Sequence, residues 1–276
     1  MEMMARLGYG ARGLVYCLVG VFAVLAAIGR GGDTGGSRNA LGQLLEQPFG
    51  SVLVGILALG LACFAAWRIV EAATDADGHG SKPKGRAVRA AHGLSGIIYA
   101  GLALTAAGMA IGRRSGGGDE DRSARDWTEW LFAQPLGRWL VAAIALAIIA
   151  AGAGFAWKAY RGNVTDRLDM PPGQQDWIVF LGRAGYGARG VVFGLIGAFL
   201  LGAAWHSRSA EVKGLGGALR ALEDQPYGWI LLAATALGLA CFGMFGLVQA
   251  RFRRVQAPSA HDVPGAAAAA RVSRRW

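Results

Sequence analysis

Two segments of the chain have the spacing of a phosphate-cradling loop. Gly8-Tyr9-Gly10-Ala11-Arg12-Gly13 and Gly185-Tyr186-Gly187-Ala188-Arg189-Gly190 both fit G-x-G-x-x-G. A dinucleotide site also needs a preceding strand, a βαβ unit and an acidic residue ~20 positions on. Neither segment follows a strand pattern, and each runs straight into an apolar stretch. No cofactor is therefore implied. The arginines offer a different chemistry. A guanidinium is a planar fork of donors that suits phosphate, and Arg12 and Arg189 stand at the start of equivalent apolar runs. A side chain placed there can turn back to the membrane interface. Both are candidate lipid-binding residues, meeting head groups or helix carbonyl ends at the cytoplasmic face.

Three glutamines form the second constellation. Gln47-Pro48-Phe49-Gly50 recurs as Gln134-Pro135-Leu136-Gly137 and as Gln225-Pro226-Tyr227-Gly228. Carried on three like units, Gln47, Gln134 and Gln225 could form an axial polar ring at a pore mouth. Against this stands the plainer reading of amides hydrogen-bonding a helix end beside a proline. Other chemistry is thinly represented. His79, His92, His206 and His261 are scattered without metal-ligand spacing, so no metal is expected. Ser95 has no patterned His or Asp for a nucleophilic triad. Glu46 and Asp224 match each other, but Ala133 fills the middle slot, so the outer turns hold no threefold carboxylate cage. Cys17, Cys63 and Cys241 all lie in apolar runs and read as small packing residues. The chain is expected not to be an enzyme.

These residues are carried by six apolar runs, near 13–29, 50–67, 93–112, 139–157, 190–205 and 227–248. A span takes ~20 predominantly apolar residues. With 54% hydrophobic and 17% charged residues, the chain has a membrane composition. The runs hold no charged residue except at their ends, where Arg68 and His92 stand, which weighs against ion-coupled transport. Trp67, Trp139, Trp157, Trp205 and Trp229 mark span ends as an aromatic belt. Between the runs, 39–47, 126–134 and 216–225 carry apolar residues on one helical face and should lie along the outer interface.

The order span, amphipathic helix, Gln-Pro-x-Gly, span therefore occurs three times. The boundaries are 1–68 for repeat one, 92–157 for repeat two and 177–254 for repeat three. Polar linkers fill 69–91 and 158–176, and 255–276 reads as a disordered cytoplasmic tail. Units with an even number of spans insert in parallel, so they must be related by an axis along the membrane normal. The expected fold class is an all-α integral membrane protein of six transmembrane helices, in three parallel two-helix repeats with pseudo-threefold symmetry. Net charge is +10, and eighteen of the 28 basic residues fall on the side of the two termini. The positive-inside rule makes that side cytoplasmic. Such flanking charge suits anionic membrane lipids as partners, and not nucleic acid.

Several of these residues resemble a bacterial membrane family, domain of unknown function 1206. The likeness is carried by residues 8–16, by Ala40-Leu41 leading to Gln47-Pro48-Phe49-Gly50, and by Ala58-Leu59-Gly60-Leu61. Unit three repeats it through Ala218-Leu219, Gln225-Pro226-Tyr227-Gly228 and Ala236-Leu237-Gly238-Leu239. Unit two departs, with His92 for the tyrosine and Ser95 for the arginine. The resemblance implies a six-span protein of the bacterial inner membrane and no activity. Function then divides between a non-catalytic protein acting by packing, lipid or partner binding and a passive channel or facilitator along the pseudo-threefold axis.

Overall fold

The computed structural model describes residues 2–75, 80, 82–113, 120–162, 164–165, 168 and 175–253. Among them are nine α-helices: α1 (Glu2–Ala27), α2 (Ser37–Leu45), α3 (Gly50–Thr74), α4 (Pro83–Ala110), α5 (Glu120–Phe132), α6 (Gly137–Arg161), α7 (Gln175–His206), α8 (Leu215–Glu223) and α9 (Gly228–Phe252). Six of these, α1, α3, α4, α6, α7 and α9, are long and apolar enough to cross a membrane. At 25 to 32 residues they run about 38–48 Å, more than the ~30 Å of hydrocarbon. Their ends therefore project, and α3 and α6 extend into the linkers drawn at 69–91 and 158–176. The tail at 255–276 lies outside the described residues.

Each short amphipathic helix hands over to the next span by the same turn. The Gln47, Gln134 and Gln225 carbonyls accept from the amides of Gly50, Gly137 and Gly228 at 2.8, 2.9 and 2.7 Å. Proline cannot continue the incoming helix. The residue before each glycine takes the left-handed conformation, with φ of 60° at Phe49, 61° at Leu136 and 59° at Tyr227. A Cβ on these glycines would stand 2.3, 2.0 and 1.9 Å from the carbonyl oxygens of Leu45, Leu131 and Glu223. The motif is a backbone device, and only glycine fits its last place.

The spans pair cyclically. The first span of each unit packs on the last span of the unit before: α4 on α3, α7 on α6, and α1 on α9, which closes unit three onto unit one. One arginine repeats at each junction and donates to the carbonyls ending the neighbouring span. Arg89 reaches Ala72 and Ala73 at 2.8 and 2.9 Å, Arg183 reaches Ala159 at 3.0 Å, and Arg6 reaches Arg251 at 3.1 Å. A cation at a helix C-terminus also meets the negative end of the helix dipole. Small residues let the partners approach: a Cβ on Gly13 would stand 2.7 Å from the Gly243 carbonyl, and one on Gly190 3.1 Å from that of Gly152.

Within units the repetition breaks. α1 packs on α3 and α7 on α9, but α4 and α6 do not form such a pair. The reason is written in equivalent positions. In unit one Gly8 receives the backbone of Phe64 (2.6 Å from a built Cβ), Gly60 receives Ala11, and Trp67 is buried. In unit three Gly185 receives Phe242, Gly238 receives Ala188, and Phe245 is buried. The corresponding residues of unit two are Ala91 and Ala151, Ala147 and Leu94, and Gly154. Notches are filled and aromatic knobs are gone, so the two helices have nothing to interlock.

Candidate functional site

Long helices carry charge deeper than the apolar runs suggested. Because the Gly-Tyr-Gly-Ala-Arg-Gly segments continue as helix, Arg12 lies ten residues into α1, about 15 Å along it. Arg189 is correspondingly deep in α7. The expectation that no ionisable group enters the spans is thus corrected, and α3 adds Arg68 and Glu71.

Glu71 anchors the end of the bundle nearest the N-terminus. It is 1% exposed, yet it accepts from Arg68 Nη1 at 2.7 Å and from Arg253 Nη2 at 2.8 Å, with His92 Nδ1 at 3.6 Å. One carboxylate therefore draws together α3, α4 and the end of α9. The same slot in the other units holds Lys158 and Gln249, and each again reaches the first span of the following unit. Lys158 Nζ donates to the Tyr186 hydroxyl at 3.3 Å, and Gln249 Oε1 accepts from Arg12 Nη2 at 2.9 Å.

Arg12 is the residue whose expected orientation is corrected. It is 4% exposed and does not turn back to the interface. Its guanidinium lies 5.1, 4.9 and 5.0 Å from the ring centres of Tyr9, Phe64 and Phe242. Three π faces and one amide offset the cost of burying the charge. Arg189 is half-buried and stacks on Tyr16, Phe155, Phe193 and Phe242, between 4.5 and 5.5 Å. Its Nε is buried without a hydrogen-bond partner, and no described carboxylate pairs with it. The Nε atoms of Arg12 and Arg68, the Trp67 indole nitrogen and the Tyr9 hydroxyl are similarly unpartnered. The core is rich in donors and cations, with Glu71 already held by two arginines. Tyr99 of α4 reaches this centre beside Tyr16, Arg12 and Arg189.

Other candidates stand elsewhere. Gln47 and Gln225 have exposed side chains, and the Gln225 amide turns back to donate to Ala221 O at 3.3 Å. The three glutamines serve their turns through backbone carbonyls. Trp67 is 2% exposed and leaves the aromatic belt, whereas Trp139, Trp157, Trp205 and Trp229 are exposed at span ends. The three cysteines are free, and no group of three or more possible metal ligands occurs among the described residues. His206 pairs with Glu211 at 2.9 Å, while His79 and His261 lie outside the described residues.

The family model described as Domain of Unknown Function (DUF1206) matches three times, at residues 7–75, 90–162 and 184–253. The chain belongs to the DUF1206 family. It is 31% identical over 253 residues to "Uncharacterized protein YxxB" of Bacillus subtilis (strain 168), covering 91% of this chain and 90% of the relative. No solved structure matches. The three DUF1206 matches coincide with the three units of the fold, and neither description assigns an activity.

On the opposite face the middle DUF1206 unit supplies what the other two lack. The helices α2 and α8 begin at Gly36 and Gly214, which offer no capping side chain. Glu120 Oε1 accepts from the Arg38 amide at 3.0 Å, capping α2. Asp121 Oδ1 accepts from the amides of Gly214 and Gly217 at 2.7 and 3.2 Å, capping α8. Burial raises the Glu120 carboxyl above the usual carboxylate range, although the Arg38 and Ser37 amides and the Arg38 charge oppose the shift. Gly216 meets the backbone of Gly35 and Gly36 beside this pair. Three helix starts converge there on two carboxylates. Sequence reading missed both acids because their partners lie 82 and more residues away.

Proposed function

We propose that the protein is a non-catalytic, multi-pass protein of the bacterial plasma membrane, with both termini cytoplasmic, that binds one anionic group in its cationic aromatic core. The observation that carries this reading is Arg189: a guanidinium deep in a span, stacked on four rings, with a buried Nε that meets no acceptor. A buried donor left unmade costs about 1–3 kcal/mol, and a phosphate or carboxylate oxygen supplies what the aromatic rings do not. Arg12 supports the site from α1 through its charge, its own Nη2 being held by Gln249. The joined helix starts at Glu120 and Asp121 weigh against an axial channel, since they tie α2, α5 and α8, one helix from each unit, to one another.

The test is a thermal-shift titration of the full chain in neutral detergent, with inorganic phosphate and with phosphatidylglycerol as separate probes. At least one should raise the melting temperature of the native chain and leave Arg189→Gln unmoved. Native mass spectrometry should also show less phosphatidylglycerol retained by the Arg12→Leu/Arg189→Leu variant, with insertion intact. Equal responses from native and Arg189→Gln chains to both probes would sink the reading. Orientation is tested separately by single cysteines at Ser81 and Ser115, both outside the described residues, in a background lacking Cys17, Cys63 and Cys241. An impermeant thiol reagent should label position 115 from outside and spare 81; the reverse pattern overturns the assignment.

A further inference from the structure

We infer that the anionic group is the phosphate of a membrane glycerophospholipid, and that it reaches Arg189 sideways through the open seam between α4 and α6. This rests on the reading of the core as an anion site and adds the ligand and its route.

The seam is open for a stated reason. Where α1 meets α3 and α7 meets α9, glycine notches and aromatic knobs interlock; at the same places α4 and α6 present Ala91, Leu94, Ala147 and Ala151, all exposed. Nothing lies within 4 Å of a Cβ built on Gly154, where the other units bury Trp67 and Phe245. An apolar cleft of this kind, in a helix pair that crosses the bilayer, meets acyl chains and not water.

The middle unit also changes the residue that faces inward. Arg12 and Arg189 are matched there by Ser95, partly buried, one turn from Tyr99. Tyr99 stands beside Tyr16 and close to both arginines. Beside the open seam, α4 thus carries a small hydroxyl in the place where a third arginine would otherwise stand, one turn from the tyrosine that meets the two guanidiniums. A head group entering there takes the space of the missing side chain and brings the missing charge.

Cleft and charge together select the ligand. An anionic phospholipid lays its chains along Leu94 and Ala147 while its phosphate accepts from Arg189 Nε. A soluble anion would satisfy Arg189 alone and would have no reason to enter between apolar helix faces.

The experiment places a photoreactive benzophenone side chain at Ala147 in the full-length protein, reconstituted in phosphatidylglycerol or in phosphatidylcholine vesicles. Leu59 on α3, exposed and away from the seam, is the control position. We expect about fivefold more lipid adduct with phosphatidylglycerol at position 147 and no preference at 59. Arg189→Leu should abolish the preference at 147. A second variant, Ala91→Gly/Leu94→Ala/Ala147→Gly/Ala151→Phe/Gly154→Phe, rebuilds the closed-seam pattern. It should lose most retained phosphatidylglycerol with Arg189 untouched. If this variant fails to fold, the crosslink in the otherwise native chain still decides.

Equal adduct from both lipids at 147, with anion binding still dependent on Arg189, overturns the lateral lipid route and leaves the core reading standing. Anion binding that ignores Arg189 overturns both.

Discussion

The seam between α1 and α3 and the seam between α4 and α6 are the same place in two copies of one unit. In the first, Gly8 is notched for Phe64 and Trp67 is buried behind it. In the second, Ala91 and Ala151 hold those two places, both exposed, and Gly154 stands in open space. The difference shows what a repeat must keep and what it can drop. All three copies keep the Gln-Pro-x-Gly turn, which depends only on adjacent chain, and the arginine that ends the neighbouring span, which even Arg6 keeps although its partner Arg251 lies 245 positions away. The middle copy drops interlocking within its own pair, yet it supplies the two carboxylates that cap its neighbours' helices. Its looseness lies between its long helices, and its contribution to the other units lies at their ends.

The sharpest way to break the comparison is at the slot holding Glu71, Lys158 and Gln249. Glu71→Ala leaves Arg68 and Arg253 buried without their carboxylate and should cost about 3–5 kcal/mol of stability, measured by denaturation in mixed micelles. Lys158→Ala, which loses a single bond to Tyr186 across the α6–α7 junction, should cost no more than about 1 kcal/mol. Equal losses would mean that the two sides are built alike after all.

A steric version follows at the notches. Gly8→Leu and Gly185→Leu drive a side chain into the backbones of Phe64 and Phe242 and should each cost about 1–3 kcal/mol. Ala91→Leu, on an exposed face, should stay within about 0.5 kcal/mol. Comparable melting temperatures for all three variants would close the seam on paper.

Smaller effects test the opposite face. Asp121→Ala removes the cap of α8 and should cost about 1 kcal/mol, seen as faster amide exchange at Gly214 and Gly217. For Glu120 the measurement is pH. Its folded value lies above its unfolded one, so the folded protein holds the proton more tightly. Its contribution to stability is therefore full below the ordinary carboxylate range and declines as pH rises through the raised value. Glu120→Gln should flatten that slope, and an unchanged slope would assign the dependence to another group.

Much of the architecture is legible in the sequence, because it is local. Apolar length gives the six spans, a helical period of leucines gives α2 and α8, and proline followed by glycine gives the turns between them. The core is less legible. Arg12 reads as an interfacial residue until Phe64 and Phe242, on two other helices, are known to surround it. Trp67 reads as a belt residue until α1 is placed against it. Glu71 reads as a charge just past a span, and only the length of α3 brings it indoors. Ala91, Ala147, Ala151 and Gly154 are plain in the sequence as changes from the other units. Their meaning needs the knowledge of which helices ought to have touched.

The hydrogen bond from Arg12 to Gln249 spans 237 positions of the chain. A ribosome delivers α1 first and α9 last, and domains begin to assemble from the N-terminus during synthesis. Until α9 is in place, Arg12 lacks its amide and the Phe242 ring, and the cyclic arrangement has no closing pair. A chain stopped before α9 would hold Arg12 by the Tyr9 and Phe64 rings alone, a charge half provided for until Gln249 and Phe242 arrive.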